Sequence, residues 1–316
     1  MESLIRRYFD DVRFVHTQEY IALRRKLFAE IDEDFAFLEG YQTMAIVALA
    51  YDKTQVKFAG KGFGMIARYA YGEDYHKTFY RLFDALEVEA LEAGFKIKGY
   101  ADVSPVDERF LGYLSGLGFI GHNDLLIHPT FGTYMMLGTI LIDQAMTQDA
   151  PSPLEQGCGT CTKCIDACPG GALSKEGFIK EHCVSYQSQM KDPLTLTQVK
   201  KFKTFIWGCD VCQRVCPKNA GLKGPFHPSF NPDEHTQLPL ADLLTLSNKA
   251  FSKKYQAYAY AFRGGLVMKR NAIMLMYNQR LGEHLPLIKE TLNTYQHVDW
   301  FYQTVKPIVE EMEQWS

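Results

Sequence analysis

Apolar positions along the chain fall into runs and spacings that predict different elements. Residues 43–51, TMAIVALAY, are continuously apolar and predict a strand buried on both faces. From His76 to Ala93, Phe79, Leu82, Phe83, Leu86 and Leu91 follow helical spacing, with Gly94 as the stop. Phe95 to Tyr100 then reads as extended, and residues 133–142, TYMMLGTILI, predict a second apolar strand. Ser104 and Pro105 suit the N-cap and first position of a helix running to about Ser115, with Gly116 beyond it. That start places Asp102 at a strand end just before a helix N-terminus, a corner that in α/β sheets faces a crevice. After residue 216 the strand signal stops. Leu243–Ser252, Met268–Tyr277, Leu285–Thr294 and Asp299–Gln314 carry helical periodicity.

Strands alternate with helices in the first half, which predicts an α+β or α/β unit over residues 1–150. A polar, proline-bearing linker, 143–157, leads into a middle segment, 151–239, and a helical segment, 240–316, follows. Gly60-Lys61-Gly62-Phe63-Gly64 matches neither a Walker A loop nor a dinucleotide fingerprint and reads as a turn.

Composition changes this picture little. The 316 residues are 47% hydrophobic and 22% charged, values of an ordinary globular chain. A net charge of −3 excludes a uniformly basic nucleic-acid coat. No apolar run approaches the roughly 18 residues of a membrane span, and the N-terminus carries no export signal. A cytoplasmic monomer without membrane contact is the expectation.

Local charge is more telling. Between Leu243 and Leu281 there is no acid, yet Lys249, Lys253, Lys254, Arg263, Lys269, Arg270 and Arg280 lie there with Phe251, Tyr255, Tyr258, Tyr260 and Phe262 interleaved. Cations that meet phosphates and rings that stack on bases make this a candidate nucleic-acid surface.

The cysteines carry the strongest signal. All eight lie between residues 158 and 216: Cys158-x2-Cys161-x2-Cys164-x3-Cys168-Pro169, then Cys183, then Cys209-x2-Cys212-x3-Cys216-Pro217. A chain without an export signal has reduced thiols, so metal binding is favoured over disulfides. Zinc ribbons use paired C-x-x-C and need no third cysteine two residues on. In two-cluster ferredoxins the fourth cysteine of each run ligates the other cluster. That rule groups Cys158, Cys161, Cys164 and Cys216 on one 4Fe–4S cluster, and Cys168, Cys183, Cys209 and Cys212 on the second.

The order CGTCTKCIDACPGGAL, HCVSYQ, WGCDVCQRVCPKN resembles the cobalamin-dependent epoxyqueuosine reductases. IARYAYGEDYHK, YADVSPVDERFLGYLSGLGFIG and TYMMLGTILID upstream, and FRGGLVMKRNAIM downstream, agree in the same order over roughly residues 43 to 280. The resemblance implies a nitroreductase- or reductive-dehalogenase-like cobalamin domain, a ferredoxin-like two-cluster module and a short HEAT-like helical region. It implies reduction of the epoxide of epoxyqueuosine at the tRNA wobble position, with one cobalamin, two 4Fe–4S clusters and an external low-potential electron donor. Asp102 then matches the general acid. Ser185, Asp210, Leu126, Leu137, Arg68 and Tyr69 match positions near the cobalamin, and Lys253, Lys254, Arg263, Lys269 and Arg270 are the expected tRNA contacts.

Asp74-Tyr75-His76 is superficially similar to the D-x-H-x-x-G cobalamin motif, but Phe79 stands in place of its glycine. His76 is therefore expected to pack at a helix start and not to ligate cobalt. Three features depart from the family pattern: the first 40 residues, His122 where many members carry lysine, and the short tail. A small-molecule corrinoid reductase and a non-catalytic electron carrier remain the alternative functions.

Overall fold

A computed structural model describes residues 1–28, 30, 33–54, 56–148, 157–222 and 226–315. Most of the expected linker, residues 149–156, lies outside the described residues. The chain divides into two compact units that interleave along the sequence. The first takes Met1–Asp52, Tyr75–Thr162 and Cys216–Ser229; the second takes Lys53–Asp74, Lys163–Val215 and Phe230–Ser316. Three contiguous domains over 1–150, 151–239 and 240–316 are therefore not what forms. Strand pairing is the reason: Phe63–Ile66 pairs in parallel with Phe205–Trp207 and antiparallel with Gln237–Pro239, which draws residues 53–74 into the later unit. Residues 216–229 return to the first unit, where Thr133 N donates to Asn219 Oδ1 (2.8 Å) and His227 N to the Ala50 carbonyl (2.8 Å).

The first unit holds a four-stranded antiparallel sheet in the order Asp11–His16, Thr43–Ala50, Met135–Ile142, Ile97–Tyr100. The continuous apolar run at Thr43–Ala50 is an inner strand, buried at every residue, as a strand covered on both faces requires. Helix Tyr75–Glu92 lies on the sheet through Phe79, Phe83 and Leu86. Glycines on two neighbouring strands make room for it. A Cβ at Gly99 would stand 2.3 Å from the Phe83 ring, and one at Gly138 2.6 Å from the Phe79 ring. Leu91, counted with the buried stripe from its spacing, is 71% exposed. At 100° per residue it lies well off the line through Phe79, Phe83 and Leu86.

The second unit is built around helix Gly265–Asn278, of whose residues Gly265 and Val267 to Tyr277 are buried. Such a helix has no solvent face. Around it stand Leu240–Thr245, Asn248–Tyr255, Leu285–Thr294 and Asp299–Met312. The single helix expected over Leu243–Ser252 is two, because Leu246 is extended and the Ser247 side chain caps a new start at Ala250 N. The described residues after 240 form no strand, and no helix of the described residues is long and apolar enough to cross a membrane.

Candidate functional site

Asp102 lies two residues past strand Ile97–Tyr100, in the left-handed backbone region at φ 58°. Aspartate tolerates that region better than most residues, and such conformations recur where a side chain must be aimed. Its carboxylate is 63% exposed. Oδ2 accepts from Tyr75 Oη at 2.8 Å and faces His76 Nε2 at 3.4 Å. Both partners sit in the first turn of helix Tyr75–Glu92, their rings stacked at 4.1 Å. His76 is thus a partner of the candidate acid, where packing alone was expected.

The helix after Asp102 starts later than Ser104. It spans Glu108–Leu114, with Asp107 as the cap that accepts from Phe110 N, while the Ser104 hydroxyl accepts from Val106 N (3.0 Å). Asp102 is therefore six residues ahead of the helix start and not just before it. His76 above all, with help from the Tyr75 hydroxyl, holds the Asp102 pKa below its ordinary value against the opposing effect of burial.

Glu108 is a residue the sequence did not single out. Its Oε1 accepts the Asp102 backbone N–H at 3.3 Å. Burial, and then the charge of Asp102, push its pKa up to about 8. Two neighbouring carboxyl groups are thereby driven apart, one toward the ionised form and one toward the neutral form. The folded chain holds a proton on Glu108 that the unfolded chain releases. Stability falls as pH rises from 4.5 through about 8. Glu108→Gln is expected to raise Tm over the parent at pH 8 and to leave it unchanged at pH 4. Equal Tm values at pH 8 would remove this assignment.

The cysteines divide between the two units. Cys158, Cys161 and Cys216 belong to the first unit, and Cys164 to the second. The Cys216 thiol is raised by burial and by the proximity of Cys158 and Cys161. Cys168, Cys183, Cys209 and Cys212 all belong to the second unit. Burial, and then the other thiols of that group, raise Cys212, and Cys209 is pushed up to about 12. Thiols crowded this way ionise only with a cationic partner. Backbone amides already point at the sulfurs: Ala172 N at Cys168 Sγ (3.3 Å), Ser185 and Tyr186 at Cys183, Val211 at Cys209, and Lys218 and Asn219 at Cys216. Cys183, Cys209 and Cys216 each lie at or just before the start of a short helix, Val184–Gln187, Val211–Arg214 or Pro217–Asn219, whose first amides have no intrahelical partner. Hydrogen bonds of this kind set iron–sulfur potentials. Among the described residues no three His, Cys, Asp or Glu side chains close on one ion. A cubane asks for no such convergence, since each thiolate meets a different iron. His122 donates from Nδ1 to the Cys161 carbonyl at 2.9 Å.

Four of the expected cobalamin positions share the second unit with the second cysteine group. Tyr69 Oη and Ser185 Oγ are 2.6 Å apart, and burial followed by the nearby Cys209 and Cys183 charges outweighs the Ser185 bond to raise the Tyr69 pKa. Arg68 Nε stands 3.5 Å from Asp210 Oδ2. Asp210 is 2% exposed, and its Oδ1, 3.9 Å from Arg214 NH1, accepts no hydrogen bond from the described residues. A buried carboxylate oxygen without a donor suits the amide-bearing rim of a corrin. Leu137, on strand Met135–Ile142, is half-buried. Leu126 is 4% exposed and belongs to the core of the first unit, a Cβ at Gly112 standing 2.5 Å from its Cδ2. Its expected place lining a corrin is not borne out, because the side chain is enclosed by its own unit.

The basic segment divides in two. Lys253, Lys254 and Arg263 are exposed, and the Arg263 guanidinium lies 5.0 Å from the Phe262 ring, which is itself 73% exposed. Lys269 and Arg270 are 3% and 0% exposed. Lys269 Nζ donates to the Leu243 and Leu244 carbonyls, and Arg270 NH1 to that of Met190 (2.7 Å). The expectation that these two meet RNA fails because they sit on the helix that the unit buries on all sides. Phe251, Tyr255 and Tyr260, on the elements before that helix, are core residues of the same unit.

Comparison with known proteins agrees with this geometry. A family model described as "4Fe-4S double cluster binding domain" matches residues 157–219, and one described as "Epoxyqueuosine reductase QueG, DUF1730" matches 35–103. An epoxyqueuosine reductase of Lactococcus garvieae is 34% identical over 260 residues, covering 80% of this chain and 74% of that one. The Bacillus subtilis relative is 28% identical over 311 residues, covering 90% and 79%. A solved structure of an epoxyqueuosine reductase from Bacillus subtilis matches with TM-score 0.81 at 26% identity, over 98% of this chain and 90% of that one. A solved epoxyqueuosine reductase with an epoxyqueuosine-modified tRNA stem loop matches with TM-score 0.80, 24% identity, and 100% and 94% coverage, a likeness of fold.

Proposed function

The chain belongs to the epoxyqueuosine reductase family, and from that premise we propose how its own residues perform the reaction. It is an oxidoreductase that reduces epoxyqueuosine to queuosine in tRNA, with 4Fe–4S clusters and cobalamin as cofactors. Opening the epoxide to an alkene takes two electrons and two protons, and the oxygen leaves as water. When bound, the cobalamin supplies a cobalt centre that collects electrons and engages the epoxide.

The chain's residues divide the remaining work. Cys158, Cys161, Cys164 and Cys216 hold one cluster, and Cys168, Cys183, Cys209 and Cys212 the other, which shares its unit with Tyr69, Ser185, Arg68 and Asp210. Those four, with Leu137, hold and orient the cobalamin. Asp102 gives a proton to the departing oxygen from Oδ2, with Tyr75 and His76 fixing the carboxyl. The observation that carries this reading is the crowding of Cys168, Cys183, Cys209 and Cys212 in the unit that also holds Tyr69, Ser185, Arg68 and Asp210. Incubation of the reconstituted protein with a low-potential reductant and epoxyqueuosine-containing tRNA, read by mass spectrometry of the nucleosides, tests it. Absence of queuosine from fully loaded protein would overturn it.

Lys253, Lys254 and Arg263 are the proposed tRNA contacts. Each removed phosphate contact flattens the salt dependence of binding by about one unit of log–log slope. Lys254→Ala with Arg263→Ala is expected to weaken tRNA binding and lower the slope by about two, with iron content unchanged. A titration across salt concentrations checks this.

Finer assignments complete the proposal. The first unit corresponds to a nitroreductase- and reductive-dehalogenase-like cobalamin domain, the cysteine segment to a ferredoxin-like module, and the last helices to a short HEAT-like region. The protein works as a cytoplasmic monomer supplied by an external low-potential donor, in the compartment where its tRNA is found. With the family established, a small-molecule reductase and a non-catalytic carrier have no observation in their favour.

A further inference from the structure

Arg270 is completely buried on the central helix, where burial lowers its pKa and the charge of Asp192 offsets this only in part. A buried cation compensated only in part is costly, and an apolar side chain of similar volume fills such a site at less cost. Its donors have a common destination. NH1 binds the Met190 carbonyl (2.7 Å), and NH2 binds those of Gln187 (2.9 Å) and Ser188 (3.3 Å). Nε and NH2 also bind Asn271 Oδ1 at 3.0 and 2.9 Å, which orients that amide.

Asn271 Nδ2 in turn donates to two separate segments, Ser188 O and Ile206 O, each at 2.8 Å. Residues 187–190 follow the turn that begins at Cys183, whose carbonyl accepts from Gln187 N (2.9 Å). Ile206 lies three residues before Cys209. Ser188 closes the loop: its Oγ donates to Ser185 O (2.7 Å) and accepts from Gly208 N (2.9 Å).

We propose that Arg270 and Asn271 are positioning residues for the second cluster, fixing the Cys183 turn against the Cys209 loop at the separation that the cluster bridges. The inference rests on the two-cluster reading above. Only a planar fork with five donors grips three carbonyls and a side-chain amide at once, so lysine cannot replace it.

The test compares the parent with Arg270→Lys, Asn271→Ala and Ser188→Ala after anaerobic reconstitution. Iron and sulfide per chain, electron paramagnetic resonance of the reduced protein, and helix content by circular dichroism are read. The parent is expected to carry about eight irons. Asn271→Ala and Arg270→Lys are expected near half of that, with one of two cluster signals lost and helix content kept. Ser188→Ala is expected to keep its iron and to shift the midpoint potential of the same cluster alone. Should Asn271→Ala fail to fold, Arg270→Lys and Ser188→Ala carry the comparison. Full iron with unchanged spectra and potentials in all three variants, or loss of both clusters in step, overturns the proposal. A parent holding only half the iron overturns the two-cluster reading, and this inference with it.

Discussion

Asp102→Asn is expected to lower turnover of epoxyqueuosine-containing tRNA by about 10²- to 10⁴-fold, with iron, cobalamin and tRNA bound as in the parent. Asparagine keeps an oxygen that can accept from Tyr75 Oη, so the loop geometry survives while the transferable proton is lost. In the free protein His76 and Tyr75 favour the ionised carboxyl. A substrate that covers this exposed group removes its water and raises its pKa, which is when an acid is needed. Single-turnover rates measured anaerobically across pH check the expectation. A variant that reacts at near the parent rate would move the proton-donor role elsewhere, and Glu108, close by and disposed to stay protonated, would be the next residue to test.

Cys209→Ser is expected to abolish reduction and to bring iron from about eight to about four per chain. Its sulfur is buried among Cys183, Cys168 and the Val211 amide. A serine hydroxyl does not ionise there and is a poor ligand for iron. The group belongs wholly to the second unit, so the cluster that includes Cys158, Cys161 and Cys216 is expected to remain. Iron analysis and the reduced-state resonance spectrum settle the matter. Unchanged iron with intact turnover would mean that Cys209 is not a ligand.

The parts of this molecule legible in the sequence are those set by local spacing. The apolar runs at 43–51 and 133–142 became neighbouring strands, and Leu285–Thr294 formed within its expected bounds. Short cysteine intervals show in the structure as thiols that burial raises and that raise one another, Cys212 beside Cys209, Cys183 and Cys168, and Cys216 beside Cys158 and Cys161. What the sequence hid depends on partners distant in the chain. The segment around Phe63–Ile66 has no local mark of belonging with Phe205–Trp207. Lys269 and Arg270 looked like their exposed neighbours Lys253 and Lys254, since charge does not tell whether a helix has a solvent face. The one available hint was the apolar residues on both sides of them, Leu266-Val267-Met268 and Ala272-Ile273-Met274. Glu108 was hidden because its contact with Asp102 arises from a loop folding back, with Asp107 and not Ser104 beginning the helix.

The interleaving of the two units bears on how the protein is made. Strand Phe63–Ile66 leaves the ribosome long before either of its partners, and the first unit waits likewise for residues 216–229. Neither unit can finish during synthesis of the N-terminal half, and an apolar strand remains unpaired on the nascent chain. Contacts this remote in sequence also slow folding. Recombinant yield is therefore expected to respond to chaperones and lower growth temperature.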